Sequence, residues 1–178
     1  MTSQMIWRKT EFVLSILLVG CAILATRFYL VDVPVWHFVA GGTGLDPATL
    51  HLAGEFVESN LGTALESDHS FTVRMIAQQY VFVPQCIVVP VGVPVRFRIT
   101  SADSVHNLGF SGTTYNLKAM PGVVDQASFS FPQAGDFPLP CHEFCGPGHY
   151  TMRAELKVVS RAQFSSLRPG ERRTCESN

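Results

Sequence analysis

The sequence predicts an all-β domain carried behind one membrane-spanning helix. Three observations predict it. An apolar run near the N-terminus follows two cations, short alternating strands recur from residue 71 to 159, and sulfur and imidazole side chains crowd the loop before the last strand. With 178 residues, the chain has room for one ordinary domain and an anchor, but not for two substantial cores. A formal net charge of −1 excludes the basic patch that nucleic-acid binding demands.

Charged residues make up 15% of the chain, below the usual quarter, while hydrophobic residues reach 47%. The N-terminal segment is the local cause. Residues 12–26 carry no charge, Arg27 interrupts, and apolar residues resume to Val31. That length approaches the roughly 20 residues a helix needs to cross a bilayer core of about 30 Å. Arg8 and Lys9 precede the run, so the positive-inside rule puts the N-terminus in the cytoplasm and the remainder outside. Arg27 sits near the outer end, where its long stem can snorkel to the headgroups. Leu18-Val19-Gly20-Cys21 resembles a lipobox, which would make Cys21 a lipidated first residue. The chain stays hydrophobic beyond Cys21, which favours an uncleaved helix.

Residues 1–35 are therefore assigned to the tail and anchor. Residues 36–70, rich in Gly, Pro, Ser and Thr with scattered acids, show no sustained period and are read as a connector. From Phe71 the texture changes. Residues 71–77 alternate loosely, residues 86–90 are β-branched, and residues 95–100, 127–131 and 154–159 alternate cleanly. Turn residues separate them, among them Pro121-Gly122 and Gly146-Pro147-Gly148. Short strands at regular spacing predict a β-sandwich or barrel over residues 71–160. Residues 161–178 form a polar, basic tail expected to fray. Phe137-Pro138-Leu139-Pro140 places two prolines where a strand should run; since proline cannot donate to a ladder, an edge position is expected.

The densest chemical signal is Cys141-His142-Glu143-Phe144-Cys145-Gly146-Pro147-Gly148-His149-Tyr150-Thr151-Met152. Soft thiol and thioether donors with imidazole select copper or zinc over hard cations. A further well-placed donor is His106, at the end of a predicted strand. A mononuclear blue copper centre uses one cysteine, two histidines and a weak axial methionine. A second thiol here allows two thiolates to bridge two coppers, each taking one terminal histidine. The competing arrangement is a disulfide between Cys141 and Cys145, since the domain faces an oxidising compartment.

The pattern Cys-x-Glu-x-Cys-Gly-x-x-His-x-x-Met, with an upstream Asp-x-x-His at Asp103 and His106, resembles the CuA domain of cytochrome oxidase subunit II. The likeness covers residues 71–159 and extends, through the single anchor, to the short B-type subunits. It implies a cupredoxin-like Greek-key β-sandwich or barrel. It also implies that Cys141 and Cys145 bridge two coppers, that His106 and His149 are terminal ligands, and that Met152 and the Glu143 carbonyl bind axially. The Glu143 carboxylate would hold a magnesium ion at the subunit I interface. Tyr80 and Phe82 lie in the stretch that carries aromatic residues near the face where electrons enter. The resemblance further implies a small donor such as cytochrome c, a heme acceptor in subunit I, and residence in the bacterial inner membrane with the copper domain on the periplasmic side. Few charges surround the ligand loops (Lys118, Asp125, Glu143 and Arg153), so the donor patch should be weakly charged. The same module could serve a nitric oxide reductase. From a different class, a membrane-anchored copper-delivery protein also uses two cysteines and a histidine. His142 matches no ligand position. Cys86 reads as a buried thiol in a strand, with a Cys86–Cys175 bridge left open. His37, His51 and His69 read as solvated residues of the connector.

Overall fold

The computed structural model describes residues 3–32, 44–164 and 170–175. They belong to two units, Met1–Val39 and Ala40–Asn178. In the first, α1 runs from Ser3 to Asp32. Within it, Trp7–Arg27 is long and apolar enough to span a bilayer, 21 residues at about 1.5 Å rise each. Trp7, Phe12, Leu18 and Leu24 are all exposed, as on a helix whose whole circumference is built for lipid. Cys21 is exposed on the same helix. His37 lies outside the described residues.

The second unit contains β1 (Gly62–Leu65), β2 (Phe71–Gln78), β3 (Val81–Val83), β4 (Cys86–Pro90), β5 (Val95–Ser101) and β6 (His106–Gly109). It continues with β7 (Asn116–Ala119), β8 (Asp125–Phe129), β9 (Gly135–Pro140), β10 (Arg153–Val159), a short α2 (Arg161–Phe164) and β11 (Arg172–Arg173). One sheet has the order β11-β1-β2-β5-β8, with β3 also paired to β2; a second has the order β4-β10-β9; β6 and β7 form a hairpin. The β2–β5 and β4–β10 pairs are parallel.

Alternation explains the layering. On β5, Val95, Phe97 and Ile99 point inward and Arg96 outward; on β10, Ala154, Leu156 and Val158 point inward. These residues join Val73, Met75, Ile87 and Val89 in one core fed by both sheets, which makes the unit a sandwich. An aromatic cluster fills part of it. The Phe97 ring meets Phe110 edge-on at 5.1 Å, and Tyr115 stacks on Phe129 at 4.4 Å. β9, with Pro138 and Pro140, lies at the edge of its sheet, where the missing N–H groups cost least.

Two sequence expectations are corrected. The supposed connector belongs to the domain: β1 pairs antiparallel with β2, from Gly62 opposite Arg74 to Leu65 opposite Phe71. Leu50, Phe56 and Leu61 are buried against Ile76 in a second small core. Burying a side chain such as Phe56 contributes about 2 kcal/mol, enough to hold the segment down. The supposed fraying tail is likewise tied in. β11 pairs with β1, and Cys175 forms a disulfide with Cys86, so Cys86 is not a free thiol. Closing a loop over 89 positions removes much conformational freedom from the unfolded chain, worth about 4 kcal/mol in the chain-entropy account.

Glu55 fastens the early segment to the sheet. Its carboxylate lies 3.2 Å from Arg74 Nε and 2.8 Å from Arg98 Nη2, and Arg74 also reaches Glu66 at 2.7 Å. Burial pushes the Glu55 carboxyl upward, but the Arg98 hydrogen bond and charge, followed by those of Arg74, outweigh it and hold it below its ordinary value of 4.5. A carboxyl lowered in the folded state stabilises fully above its unfolded pKa, and that stabilisation drains away as pH falls through the folded one. Glu55→Gln should therefore cost about 1 kcal/mol at neutral pH and flatten the loss of stability below about pH 5. Urea midpoints taken across that range check both; an unchanged acid slope contradicts this role.

Candidate metal centre

The ligand loop is a bridge between two strands. Cys141 follows β9 and Met152 precedes β10, and the Cys141 N–H donates to the Met152 carbonyl at 3.0 Å, closing the loop at its base. Cys141 also bridges to Leu108 on β6, and the His142 N–H donates to the Asn107 carbonyl at 2.8 Å. These bonds bring the loop against the first residue of β6, His106. A 3₁₀ turn over His149–Thr151, with the Met152 N–H on the His149 carbonyl at 3.1 Å, sends His149 and Met152 to the same side.

The result is a convergence of donors. One ligand atom each from His106, Cys141 and Cys145 lie within 4.8 Å of one another, and all three residues are buried. Cys145 Sγ lies 3.7 Å from His149 Nδ1 and 3.6 Å from Met152 Sδ. Cys141 Sγ stands 3.3 Å from the Glu143 carbonyl. His106, Cys141 and Cys145 thus meet at one point, with His149 and Met152 against Cys145 and the Glu143 carbonyl against Cys141. The structure holds Cys141 and Cys145 as free thiols, not as the competing disulfide.

His106 decides whether a metal fits. It is fully buried; Nε2 faces Asp103 Oδ1 at 2.8 Å, with Ser104 Oγ at 3.1 Å, while Nδ1 has no hydrogen-bond partner. Leaving a buried polar nitrogen unsatisfied costs about 1–3 kcal/mol. A carboxylate that accepts a hydrogen bond from Nε2–H leaves the lone pair on Nδ1, the arrangement that metal-bound imidazoles use. Asp103 is held below its ordinary value: burial raises it, but the His106 hydrogen bond and the N–H groups of Gln79 and Ser104 outweigh that. An orphaned nitrogen beside two buried sulfurs and a thioether is a donor set suited to a soft metal ion, and copper fits it.

Glycines let neighbours close over the site. A Cβ on Gly148 would lie 2.3 Å from Tyr80 Cδ2, and one on Gly146 would lie 2.5 Å from the Tyr80 hydroxyl. Tyr80 thus packs directly on the ligand loop, whereas Phe82 is fully buried in the core. Likewise the exposed His142 ring covers Gly109, where a Cβ would fall 2.2 Å from His142 Cε1. On the outer side, half-buried His149 lies between Phe144 and Tyr150, with ring centroids 5.8 and 5.7 Å away; those two aromatics are 71% and 87% exposed. Sequence reasoning missed Gln79, whose side chain donates to the Cys145 carbonyl across 66 positions. No local signal could have revealed so distant a partner.

Burial, and then the neighbouring Cys141 thiol, push Cys145 above its ordinary value, so it keeps its proton at neutral pH. A metal binds the thiolate, and uptake must release that proton. Apparent metal affinity should thus rise with pH throughout the range below the raised pKa. Copper titration of the metal-free chain in weakly buffered solution at neutral pH should acidify the medium, and no acidification contradicts it. Gly148→Ala should force Tyr80 aside at a cost of about 1–3 kcal/mol. A melting comparison checks this, and Tyr80→Ala in the same chain should recover most of the loss.

Comparison with known proteins places this geometry. A family described as cytochrome C oxidase subunit II, periplasmic domain, matches residues 64–159, more than half of the chain. The chain belongs to this family. The matched span includes His106 and the whole loop from Cys141 to Met152. Cytochrome c oxidase subunit 2 of Thermus thermophilus is 30% identical over 114 residues, which are 64% of this chain and 84% of that protein. Cytochrome c oxidase subunit 2 of Ascaris suum is 39% identical over 79 residues, 44% of this chain and 34% of its own. Among solved structures, a chain of a heme-copper terminal oxidase dimer is 25% identical with a TM-score of 0.52, covering 85% of this chain and 99% of that one. Subunit II members are parts of an oxidoreductase complex, and this one combines the family's cupredoxin-like sandwich with an apolar N-terminal helix.

Proposed function

We propose that this chain is the subunit through which electrons enter a respiratory heme-copper oxidase, at a binuclear CuA centre. The observation that carries the reading is the meeting of two buried thiols with an imidazole nitrogen that has no other partner. In this reading Cys141, Cys145, His106 and His149 would hold the two coppers, with Met152 and the Glu143 carbonyl as weaker donors. A bound pair of coppers supplies one-electron chemistry with the charge spread over both ions and their sulfurs.

The chain's own contribution is stiffness. The Cys141–Met152 bond closes the base of the sulfur-bearing segment, and the Leu108–Cys141 bridge and the His142–Asn107 bond fix its Cys141 end. Donors held that way move little between oxidation states, so little energy goes into rearrangement. The exposed aromatic pair around His149 is an apolar surface that needs a partner, and we assign it to the membrane subunit carrying the acceptor heme. Tyr80, reaching the loop from another strand turn, marks the side where a small donor such as cytochrome c delivers its electron, with Phe82 packed behind it. The Glu143 carboxylate is the candidate for a magnesium ion shared with subunit I. The helix anchors the chain in the bacterial inner membrane, N-terminus inward, with the copper domain in the periplasm.

The full chain in detergent, loaded with copper, tests this reading. It should bind two ions and give the EPR hyperfine pattern of one electron shared by two copper nuclei, and Cys145→Ser should abolish that pattern. A single labile Cu(I) would instead favour a copper-delivery protein.

A further inference from the structure

The ligands come from two segments far apart in sequence, Asp103 to His106 and Cys141 to Met152, and their mutual placement must be fixed. The Cys141 end is secured by backbone bonds to β6. The Cys145 end is not secured that way: the N–H groups of His149, Thr151 and Met152 all donate within the loop, to Gly146, Gly148 and His149. Gln79 supplies the missing tie. Its side-chain amide donates to the Cys145 carbonyl, and its backbone N–H donates to Asp103 Oδ2 at 2.6 Å. The other oxygen of Asp103 holds His106 Nε2 at 2.8 Å.

We propose that Gln79 is a positioning residue of the metal centre, a single brace joining the carboxylate that orients His106 to the backbone that carries Cys145. This rests on the binuclear reading above and adds to it a residue that touches no ligand atom. An imidazole whose far nitrogen is hydrogen-bonded to a fixed carboxylate has its ring plane and donor strength set by that carboxylate. A carboxylate pinned by a backbone N–H cannot swing away from the ring. A thiolate whose own carbonyl is held by an amide donor sits in a field that the donor sets, and its Cα cannot drift from the opposite histidine. Gln79 does both at once because it occupies the turn after β2, beside Asp103 on one side and the ligand loop on the other. The residue is itself on the surface, so the fold does not depend on its side chain. Tyr80, next in the chain and packed on Gly146 and Gly148, keeps the turn against the loop.

The test uses the full chain in detergent, copper-loaded, as the unaltered form, Gln79→Met, Asp103→Asn and the double variant. Gln79→Met keeps the side chain's length and the backbone N–H but removes the amide donor. Gln79→Met should still bind two coppers, and its metal-free form should melt with the unaltered chain. Loss of copper to a Cu(I) chelator should quicken about tenfold, the low end for removing an outer partner of a metal ligand, and the reduction potential should shift. The double variant should change the potential by less than the sum of the single changes, because both act on one brace. An unchanged chelator rate and potential in Gln79→Met would overturn the inference. So would strict additivity, or a lowered melt of the metal-free form with the potential unmoved. If the unaltered chain itself binds a single copper, the binuclear reading fails instead, and that failure is seen before any variant is compared.

Discussion

One hydrogen bond at the base of the ligand loop, from the Cys141 N–H to the Met152 carbonyl, governs the rest of the site. It closes the loop between β9 and β10 into a ring of chain. Two thiols, a main-chain carbonyl, an imidazole and a thioether must then face a common point. The Cys141 end cannot retreat, because it is latched to β6 through Leu108 and Asn107, and the far root of the loop continues into β10. The sandwich is a frame for this ring. Its antiparallel β9–β10 ladder, which sets Pro140 opposite Arg153, keeps the loop's two roots at constant separation.

The ring alone leaves the site open on one side, and His106 closes it. The histidine begins a strand, so its backbone is fixed by the β6–β7 ladder, and its ring is fixed by Asp103. The electrostatic setting follows from burial. Burial and the neighbouring Cys141 make the Cys145 thiol resist ionisation, while the Asp103 carboxylate nearby stays charged because it gathers several N–H donors. A cation entering between the sulfurs relieves the first strain and is screened by the second charge. This is why the arrangement reads as a site and not as a packing accident.

How much of this was legible depends on whether the signal was local. The crowding of sulfur and imidazole within twelve consecutive positions was visible in the sequence, while the ligand roles of His106 and the Glu143 carbonyl came in through the family resemblance. Strands with an apolar inner face announced themselves too, as β5 and β10 did through clean alternation. β1 did not. Gly62, Thr63 and Ala64 are small and buried together, so neither face shows an apolar period and the segment resembled a linker. β11 is two arginines whose strand character comes entirely from a neighbour's ladder. Leu50, Phe56 and Leu61 looked like isolated apolar residues until folding placed Ile76 beneath them. Gln79 was invisible for a similar reason. A single amide gains meaning from partners in two distant segments, and no window of sequence contains all three.

The sheet edge carries a consequence for how the molecule is made. The strand that completes this edge and the thiol that seals it are residues 172–175, which leave the ribosome after every donor to the metal has been synthesised. Until they arrive, β1 lacks its outer partner and Cys86 stays unpaired. The frame around the ligand loop is thus finished last, and only where thiols can oxidise. Metal delivered earlier would meet a half-built vessel with the Cys86 sulfur still unpaired. Sealing that sulfur into the Cys86–Cys175 bond leaves two buried thiols, the pair in the pocket, to meet the incoming ion.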